Sequence, residues 1–385
     1  MRETIVVAGA LAQKPEQAGH TWQFLQYLLG LRRLGWDVLF LDQLEADMCV
    51  DEHGHRCSLE VSINLAYFRS VMTEFGLAES CALLNQGRSV FGVAHDVAVE
   101  RTRRSALLLN VMGYLADDEI LAAAPRRVFL DTDPGYGQMW RELGLADIFE
   151  GHDDHVTIAE NIGRPDCGIP TAGLSWLTTP QPVLLDAWRP NGPPASETFT
   201  SVGSWRGPYA PIELNGVTYG LRVHEFRQFF ELPCLTGRRF ELALDIDPAE
   251  TRDLALLHAS GWKLVDPRGV GHSPATYRAY LRSSLAEFMV SRGIYVQTRS
   301  GWFSERSICY LASGRPVLAQ DTGLEGLYPL GEGLLAFRTV EEAAVGVEEI
   351  CADYPRHSLA AREVAEAHFG SDQVLGRLLG SLGVA

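Results

Sequence analysis

Short apolar runs alternate with segments of helical spacing from the start of the chain. Residues 4–8 are rich in β-branched side chains, residues 37–41 form a second apolar run, and residues 21–34 between them carry apolar side chains at helical intervals. Gly35 follows the helical segment at the position where helices commonly end. This order predicts a strand–helix–strand unit, whose two strands lie parallel in one sheet.

Similar units recur further along. The apolar run at 105–115 and the strand at 127–130 lead into a polar turn from Asp131 to Gly135. In open α/β sheets, ligands bind outside the carboxyl ends of the strands, where such polar turns gather. A second series predicts strands at 198–202, 239–244, Trp262–Val265 and Leu334–Phe337, and helices at 248–259, 275–290, 340–353, 357–368 and 371–382.

The segment 295–323 contains the strongest candidate for a ligand-binding site. Its pattern predicts a strand, a glycine-containing turn, the helix Glu305–Ala312, a second turn and another strand. A turn that opens into a helix presents free N–H groups and the positive helix end, and Arg299 and Arg306 can neutralise a phosphate there. The alternative is a plain buried crossover in which Gly301 serves a tight turn. We expect a nucleotide-sugar site because polar residues collect at both ends of the segment.

Length and composition narrow the class of protein. The 385 residues exceed one ordinary core, and the Pro- and Gly-rich stretch 189–197 is the best linker, which predicts two domains, 1–188 and 198–370. A net charge of −16 argues against nucleic-acid binding. Seven scattered cysteines and the absence of a long apolar run favour a cytoplasmic protein with reduced thiols and no membrane span.

Several motifs resemble those of GT-B glycosyltransferases, which have two Rossmann-like α/β domains facing a cleft. Residues 18–20 and the helix after them resemble the first loop of these enzymes, which lines the acceptor side. Residues 202–207 resemble the donor-domain loop that approaches the diphosphate, and residues 301–304 resemble the Gly-Trp-Asn-Ser core of the plant-type signature. The resemblance covers essentially the whole chain and implies that residues 371–385 form a helix returning to the first domain.

The chain departs from both well-known signatures of the family. The plant-type histidine is absent, with Thr298 or Arg299 near its place. The two positions of the paired-glutamate motif hold Gly301 and Cys309. Glu305 and Arg306 instead resemble the Glu-Arg helices of bacterial members outside these two classes, and retention or inversion at the transferred sugar stays open.

The resemblance implies transfer of a sugar from a nucleoside diphosphate sugar to an acceptor hydroxyl on a small molecule or glycan. The enzyme would be a metal-independent hexosyltransferase without a cofactor, a monomer or homodimer. His20 is the candidate general base, because a neutral imidazole can accept a hydroxyl proton near neutral pH. The candidate catalytic residues are His20, Asp96 and Asp133, and the donor-binding candidates are Gly203, Arg206, Arg299, Gly301, Ser304, Glu305, Arg306, Gln320 and Asp321.

Other interpretations remain for some of these residues. His20 can be a helix-capping or surface histidine, and Glu287, predicted on the helix 275–290, can hold a ribose or face solvent. Asp131 with Asp133, and His152 with His155, are weak metal-site patterns; a turn and a polar loop are the simpler explanations. An epimerase on the same fold or a catalytically silent nucleotide-sugar-binding protein are the rival functions.

Overall fold

The computed structural model describes residues 3–384 and contains two sheets of mainly parallel strands. The first sheet consists of β1 (Thr4–Gly9), β2 (Asp37–Gln43), β3 (Cys81–Asn85), β4 (Arg88–Gly92), β5 (Ser105–Val111), β6 (Arg127–Asp131), β7 (Asp154–Thr157) and β8 (Trp176–Thr178). The second consists of β9 (Thr198–Ser204), β12 (Arg239–Asp245), β13 (Trp262–Val265), β14 (Ala286–Met289), β15 (Val317–Gln320) and β16 (Leu334–Phe337). A separate hairpin pairs β10 (Ile212–Leu214) with β11 (Val217–Tyr219).

Strand order places a crevice in each sheet. The first sheet has the order β4-β3-β2-β1-β5-β6-β7-β8, with only β4 antiparallel, and the second has the order β13-β12-β9-β14-β15-β16. The order therefore reverses between β1 and β5, and again between β9 and β14. Ligands of open α/β sheets bind at such reversals, outside the carboxyl ends of the strands.

Helices cover both faces of each sheet. In the first half these are α1 (Ala18–Arg33), α2 (Ile63–Glu74), α3 (His95–Arg103), α4 (Asp118–Ala123) and α5 (Tyr136–Glu142). In the second half they are α6 (Arg222–Phe226), α7 (Leu232–Thr236), α8 (Thr251–Ala259), α9 (Pro267–Gly271), α10 (Pro274–Ser283), α11 (Gly293–Gln297), α12 (Glu305–Ala312), α13 (Val340–Ala352), α14 (Tyr354–His368) and α15 (Ser371–Ser381).

Alternating side chains of β1 show how the first sheet is sandwiched. Ile5 and Val7 belong to the apolar cluster that includes α1, whereas Val6 and Ala8 belong to the cluster that includes α3. Successive side chains of a strand point to opposite faces, so α1 and α3 lie on opposite sides of this sheet.

The chain crosses between the two halves twice, and the crossings lie side by side. Val183, in the segment after β8, forms a parallel bridge with Gly370, just before α15. Helix α15 then packs on α1, where a Cβ on Gly30 would lie 2.5 Å from a methyl of Leu375. The predicted return of this helix to the first domain is confirmed, as is the fold class of two Rossmann-like α/β domains.

Two sequence predictions about the second half are wrong. The predicted helix 275–290 ends at Ser283, and the strand β14 follows it directly. The strand predicted at the start of 295–323 is instead the end of the short helix α11. Both errors have one cause: the fully buried run of β14 does not alternate, so periodicity cannot distinguish it from a helix turn.

Candidate functional site

The carboxyl ends of the two sheets face each other across a cleft that ends at the N-terminus of α12. Ser304 caps this helix, and its hydroxyl accepts a hydrogen bond from the N–H of Arg306. The N–H groups of Phe303, Ser304 and Glu305 find no acceptor among the residues that the structure describes. These three donors and the positive helix end are therefore available to an anion.

Arg306 holds this helix end against the centre of the second sheet. Its Nε donates to Glu287, which is fully buried in β14, and its Nη1 donates to the carbonyl of Val202 at 2.7 Å. The remaining nitrogen, Nη2, is buried without a partner, as is Oε2 of Glu287. The helix prediction for Glu287 was wrong, and the residue is a buried counterion.

Arg222 lies beside this pair, and no carboxylate within residues 3–384 forms an ion pair with it. Its Nη1 is 3.5 Å from the carbonyl of Ser204, and its Nε is buried with no hydrogen bond. Burial lowers the pKa of Arg222, and the charges of Arg306 and Arg292 lower it further. A Cβ on Gly203 would lie 1.9 Å from Nη1 of Arg222, so only glycine lets the guanidinium rest on the strand. An under-compensated cation at the reversal between β9 and β14 favours a bound anion.

The opposite wall comes from the loop between β1 and α1. Lys14 in this loop is half-buried, and burial lowers its pKa, with the charges of Asp133, Arg292 and Glu305 also acting on it. His20 donates through Nε2 to the carbonyl of Ala10 at 3.1 Å. Burial, followed by the charge of Lys14, lowers the pKa of His20 to about 3. His20 is therefore neutral at neutral pH, with its proton on Nε2 and a lone pair on Nδ1.

Asp133 reaches across the cleft to the second domain. Both of its carboxylate oxygens accept from Nη1 of Arg292 at 2.7 Å, and one also accepts from the hydroxyl of Tyr295. Asp131 holds the turn beneath it, accepting hydrogen bonds from Gln138, from Thr157 and from the N–H of Asp133. Burial raises the pKa of Asp131 to about 7. The structure thus gives the two carboxylates different tasks, Asp131 as support and Asp133 as an inter-domain ion pair.

The first half of the predicted phosphate turn serves a different purpose. Gly301 donates its N–H to the carbonyl of Thr322 at 2.7 Å, and Trp302 donates to the hydroxyl of Ser300 at 3.2 Å. Asn161, from the loop after β7, donates to the carbonyls of Arg299 and Gly323 at 3.0 and 2.8 Å. The N–H groups at 301 and 302 are already paired, so this half of the turn joins the two domains.

The charged side chains around this junction are paired within the protein. Arg299 lies 3.7 Å from Asp166 and 3.6 Å from Asp321. Asp321 also accepts from Arg338 at 2.8 Å and from the N–H groups of Gly323 and Leu324. These interactions outweigh burial and lower the pKa of Asp321. Arg299 and Asp321 therefore close a turn, in contrast to the ligand contacts that the sequence predicts.

Three further candidates lie outside the Lys14–Arg222–Glu305 region. Arg206 is half-exposed and forms an ion pair with Glu250. Gln320 is buried, where its amide accepts from the N–H of Ser291 and donates to Glu225 at 2.8 Å. Asp96 is exposed on α3, on the face of the sheet opposite α1, and accepts from the N–H of Val97. The geometry does not bring Asp96 to His20, because α1 and α3 cover opposite faces.

The histidines of the metal-site pattern His152 and His155 make other contacts. His152 bonds Asn110 and the carbonyl of Phe149, and the ring of His155 packs on Trp176. Across residues 3–384, no three His, Cys, Asp or Glu side chains gather as metal ligands do. None of the helices in that range has the length and apolar character to cross a membrane.

Sequence reasoning missed three residues that the fold brings together: Lys14, Arg222 and Arg292. Arg292 follows directly on the apolar run of β14, which is a recognisable signal once that run is identified as a strand. Arg222 begins a five-residue helix after the hairpin β10–β11, and no local motif marks it. Their proximity depends on contacts between segments distant in sequence.

No protein-family model and no curated protein sequence matches the chain. Among solved structures, sucrose-phosphate synthase from Thermosynechococcus elongatus has a TM-score of 0.55 at 14% identity, over 99% of both chains. An alpha-glucosyltransferase in complex with UDP and a 13-mer DNA has a TM-score of 0.59 at 10% identity, also over 99% of both chains.

A third structure is similar over the same extent. HepE from Anabaena, in complex with UDP and glucose, has a TM-score of 0.58 at 13% identity, over 99% of both chains. Identities this low carry information about the fold and not about the reaction. The likeness extends over both domains at once, including their connection. The chain therefore has the GT-B fold, two Rossmann-like domains facing a cleft.

Proposed function

We propose that the protein is a glycosyltransferase that moves a sugar from a nucleoside diphosphate sugar to an acceptor hydroxyl. One observation carries the proposal: the open N–H groups of Phe303 to Glu305 share the switch-point crevice with Arg222. Backbone donors, a helix N-terminus and a guanidinium without a carboxylate partner are what a diphosphate requires. The similar solved structures that contain UDP support the choice of ligand.

The diphosphate would lie over the start of α12. Ser304 and Glu305 supply N–H groups, and Arg222 supplies charge from the side of Gly203. Arg306 contributes through its unpartnered Nη2 while Glu287 holds it in place. These cations would offset the charge that develops on the leaving diphosphate, so we propose that no metal is needed.

The acceptor would lie against the loop between β1 and α1. His20 presents the lone pair of Nδ1, since its Nε2 proton is committed to Ala10. During transfer the bond between the sugar carbon and the diphosphate oxygen breaks, and a bond to the acceptor oxygen forms. The acceptor proton passes to Nδ1 of His20 as the new bond completes and then to solvent, because a base whose pKa is lowered to about 3 holds the proton only briefly. Positioning both substrates between two walls lowers the entropic part of the barrier.

Titration with nucleoside diphosphates tests the donor site. Saturating UDP, TDP, GDP or ADP is expected to raise the melting temperature, because a ligand at 100 times its Kd stabilises the native state by about 2.7 kcal/mol. Arg222→Gln is expected to weaken binding by about tenfold or more, whereas the surface variant Arg238→Gln, at the amino end of β12, serves as the matched control. Binding by none of the four nucleotides would refute the donor site.

A second experiment separates an enzyme from a silent binding protein. The preferred nucleotide sugar is incubated with a panel of saccharides and small alcohols, and release of the nucleoside diphosphate is measured with and without EDTA. Turnover that survives EDTA supports a metal-independent transferase. Tight binding without transfer or hydrolysis would favour the silent interpretation.

A further inference from the structure

Arg292 occupies the most central position on the donor-side edge. It follows β14 after Ser291, so it stands at the reversal between β9 and β14, and its Nη2 would lie 3.3 Å from a Cβ on Gly207. Its guanidinium is mostly buried, with 17% of the side chain exposed, and is bound by Asp133 from the other domain. A cation at this location faces the same crevice as Arg222.

Charge accounting shows that the donor site is one cation short. Arg306 is neutralised by Glu287 and Arg292 by Asp133. Arg222 and Lys14 remain, opposed by Glu305, whose charge acts on both. A nucleoside diphosphate brings at least two negative charges, which one surplus cation does not balance. Asp133 would in addition repel the diphosphate from across the cleft.

An aromatic cover holds the ion pair in place. The guanidinium carbon of Arg292 lies 5.9–6.0 Å from the ring centres of Tyr136, Tyr209 and Tyr295. Tyr209 belongs to the loop before the hairpin β10–β11, which packs against α5 of the first domain. Access to Arg292 therefore requires both the loss of the Asp133 bond and movement of this loop.

We propose that Arg292 is a further ligand for the anionic groups of the donor, which Asp133 masks in the empty protein. Donor binding then exchanges one anion for another: the diphosphate takes Arg292, and Asp133 is released toward the acceptor side. The inference rests on the proposed function for the identity of the ligand. It predicts that removing the mask strengthens donor binding, because a ligand whose competent state is fractionally populated has a reduced apparent affinity.

Calorimetric titration of UDP into the native protein and four variants tests the exchange. Asp133→Asn is expected to lower the Kd by roughly tenfold, and Arg292→Gln to raise it by about as much. In the double variant most of the gain from Asp133→Asn disappears, since no guanidinium is left to release and only the repulsion between Asp133 and the diphosphate is relieved. Tyr295→Phe, which removes one hydrogen bond to Asp133, is expected to lower the Kd by about twofold to threefold.

Inorganic pyrophosphate separates failure of the inference from failure of the proposed function. If pyrophosphate binds in an Arg292-dependent manner and no nucleotide does, the masked anion ligand stands and the glycosyltransferase proposal fails. If UDP binds the native protein while Asp133→Asn leaves its Kd unchanged or raised, the masking is refuted. Hydrogen exchange at residues 205–219 gives an independent readout, expected to be faster in Asp133→Asn and unchanged in Arg238→Gln, which removes an exposed ion pair outside this segment.

Discussion

Arg299 and Arg306 lie on one short segment and have opposite surroundings. Arg299 is 39% exposed at the side chain and stands more than 3.5 Å from both of its carboxylate partners. Arg306 is 7% exposed and contacts a fully buried glutamate. The first half of the segment joins the two domains, and the second half opens toward the cleft. One glycine-containing turn can therefore resemble a phosphate loop along its whole length while, among the described residues, only its end has N–H groups without an acceptor.

Removing Arg306 should have the largest effect. Arg306→Ala leaves the carboxylate of Glu287 buried without a counterion, which typically costs about 3–5 kcal/mol. Urea unfolding followed by circular dichroism measures the loss. A loss below about 1 kcal/mol would show that Glu287 is not held as a charged partner, and Arg306→Lys should recover part of the difference.

Gly301→Ala should come next, as a purely structural change. Gly301 has φ of +74°, and its Cβ would lie 2.9 Å from Leu327 and 3.0 Å from Asn161. Strain of this kind costs about 1–3 kcal/mol. The same unfolding assay is expected to show this loss while the Kd for UDP changes by less than about twofold. A strong loss of UDP affinity in a folded variant would move the phosphate site back to this half of the turn.

Gly203→Ala should have the opposite effect to Gly301→Ala: UDP affinity should fall, while stability changes less. The added methyl meets the flexible end of Arg222 at 1.9 Å, and the guanidinium can move away at little cost to folding. We expect UDP affinity to fall about tenfold, or about 1.4 kcal/mol, with a smaller change in stability. Unchanged affinity would indicate that Arg222 does not contact the donor.

How far the sequence predicts this arrangement differs between the two halves of the segment. Helix α12 has the predicted bounds, because Ser304 is a good N-cap and an apolar face follows it. The role of Gly301 was not predictable, since its turn is shaped by Asn161, a residue far away in the chain. The same holds for Arg222, which reaches the site only because the hairpin and a five-residue helix place it beside Gly203.

Asp42 makes the stability of the protein depend on pH. Asp42 is fully buried and accepts from the N–H of Ala12 at 2.7 Å, and burial raises its pKa to about 8. Between its ordinary value near 4 and 8, the unfolded chain releases a proton that the folded protein retains. The stability from this group is therefore full below pH 4 and is lost as the pH rises through 8.

Asp42→Asn should remove that dependence. We expect the free energy of unfolding of the native protein to fall more between pH 5 and 8 than that of the variant, by up to about 4 kcal/mol at about 1.4 kcal/mol per pH unit. Denaturant unfolding at pH 5 and at pH 8 measures this change. If the free energy of unfolding changed equally in the native protein and the variant, the raised pKa of Asp42 would be contradicted. Asp131 contributes in the same direction in both proteins, so the difference between them isolates Asp42.

The smallest effect should come from Arg299→Ala. Exposed ion pairs at this separation contribute about 0–1 kcal/mol, so stability and UDP affinity are both expected to stay close to those of the native protein. A clear loss of UDP binding in this variant would show that Arg299, like Arg306, belongs to the UDP site, and would contradict the contrast between the two arginines.

The return of α15 to the first domain has a consequence for synthesis of the chain. Helix α1, near the amino end, is covered by α15, and Arg126 before β6 donates to the carbonyl of Leu382. Both contacts require residues that emerge from the ribosome long after the first sheet is complete. Part of the apolar surface of the first domain therefore stays uncovered while the second domain is being synthesised. The first domain completes its folding only when α15 docks on it, after the second domain has been made.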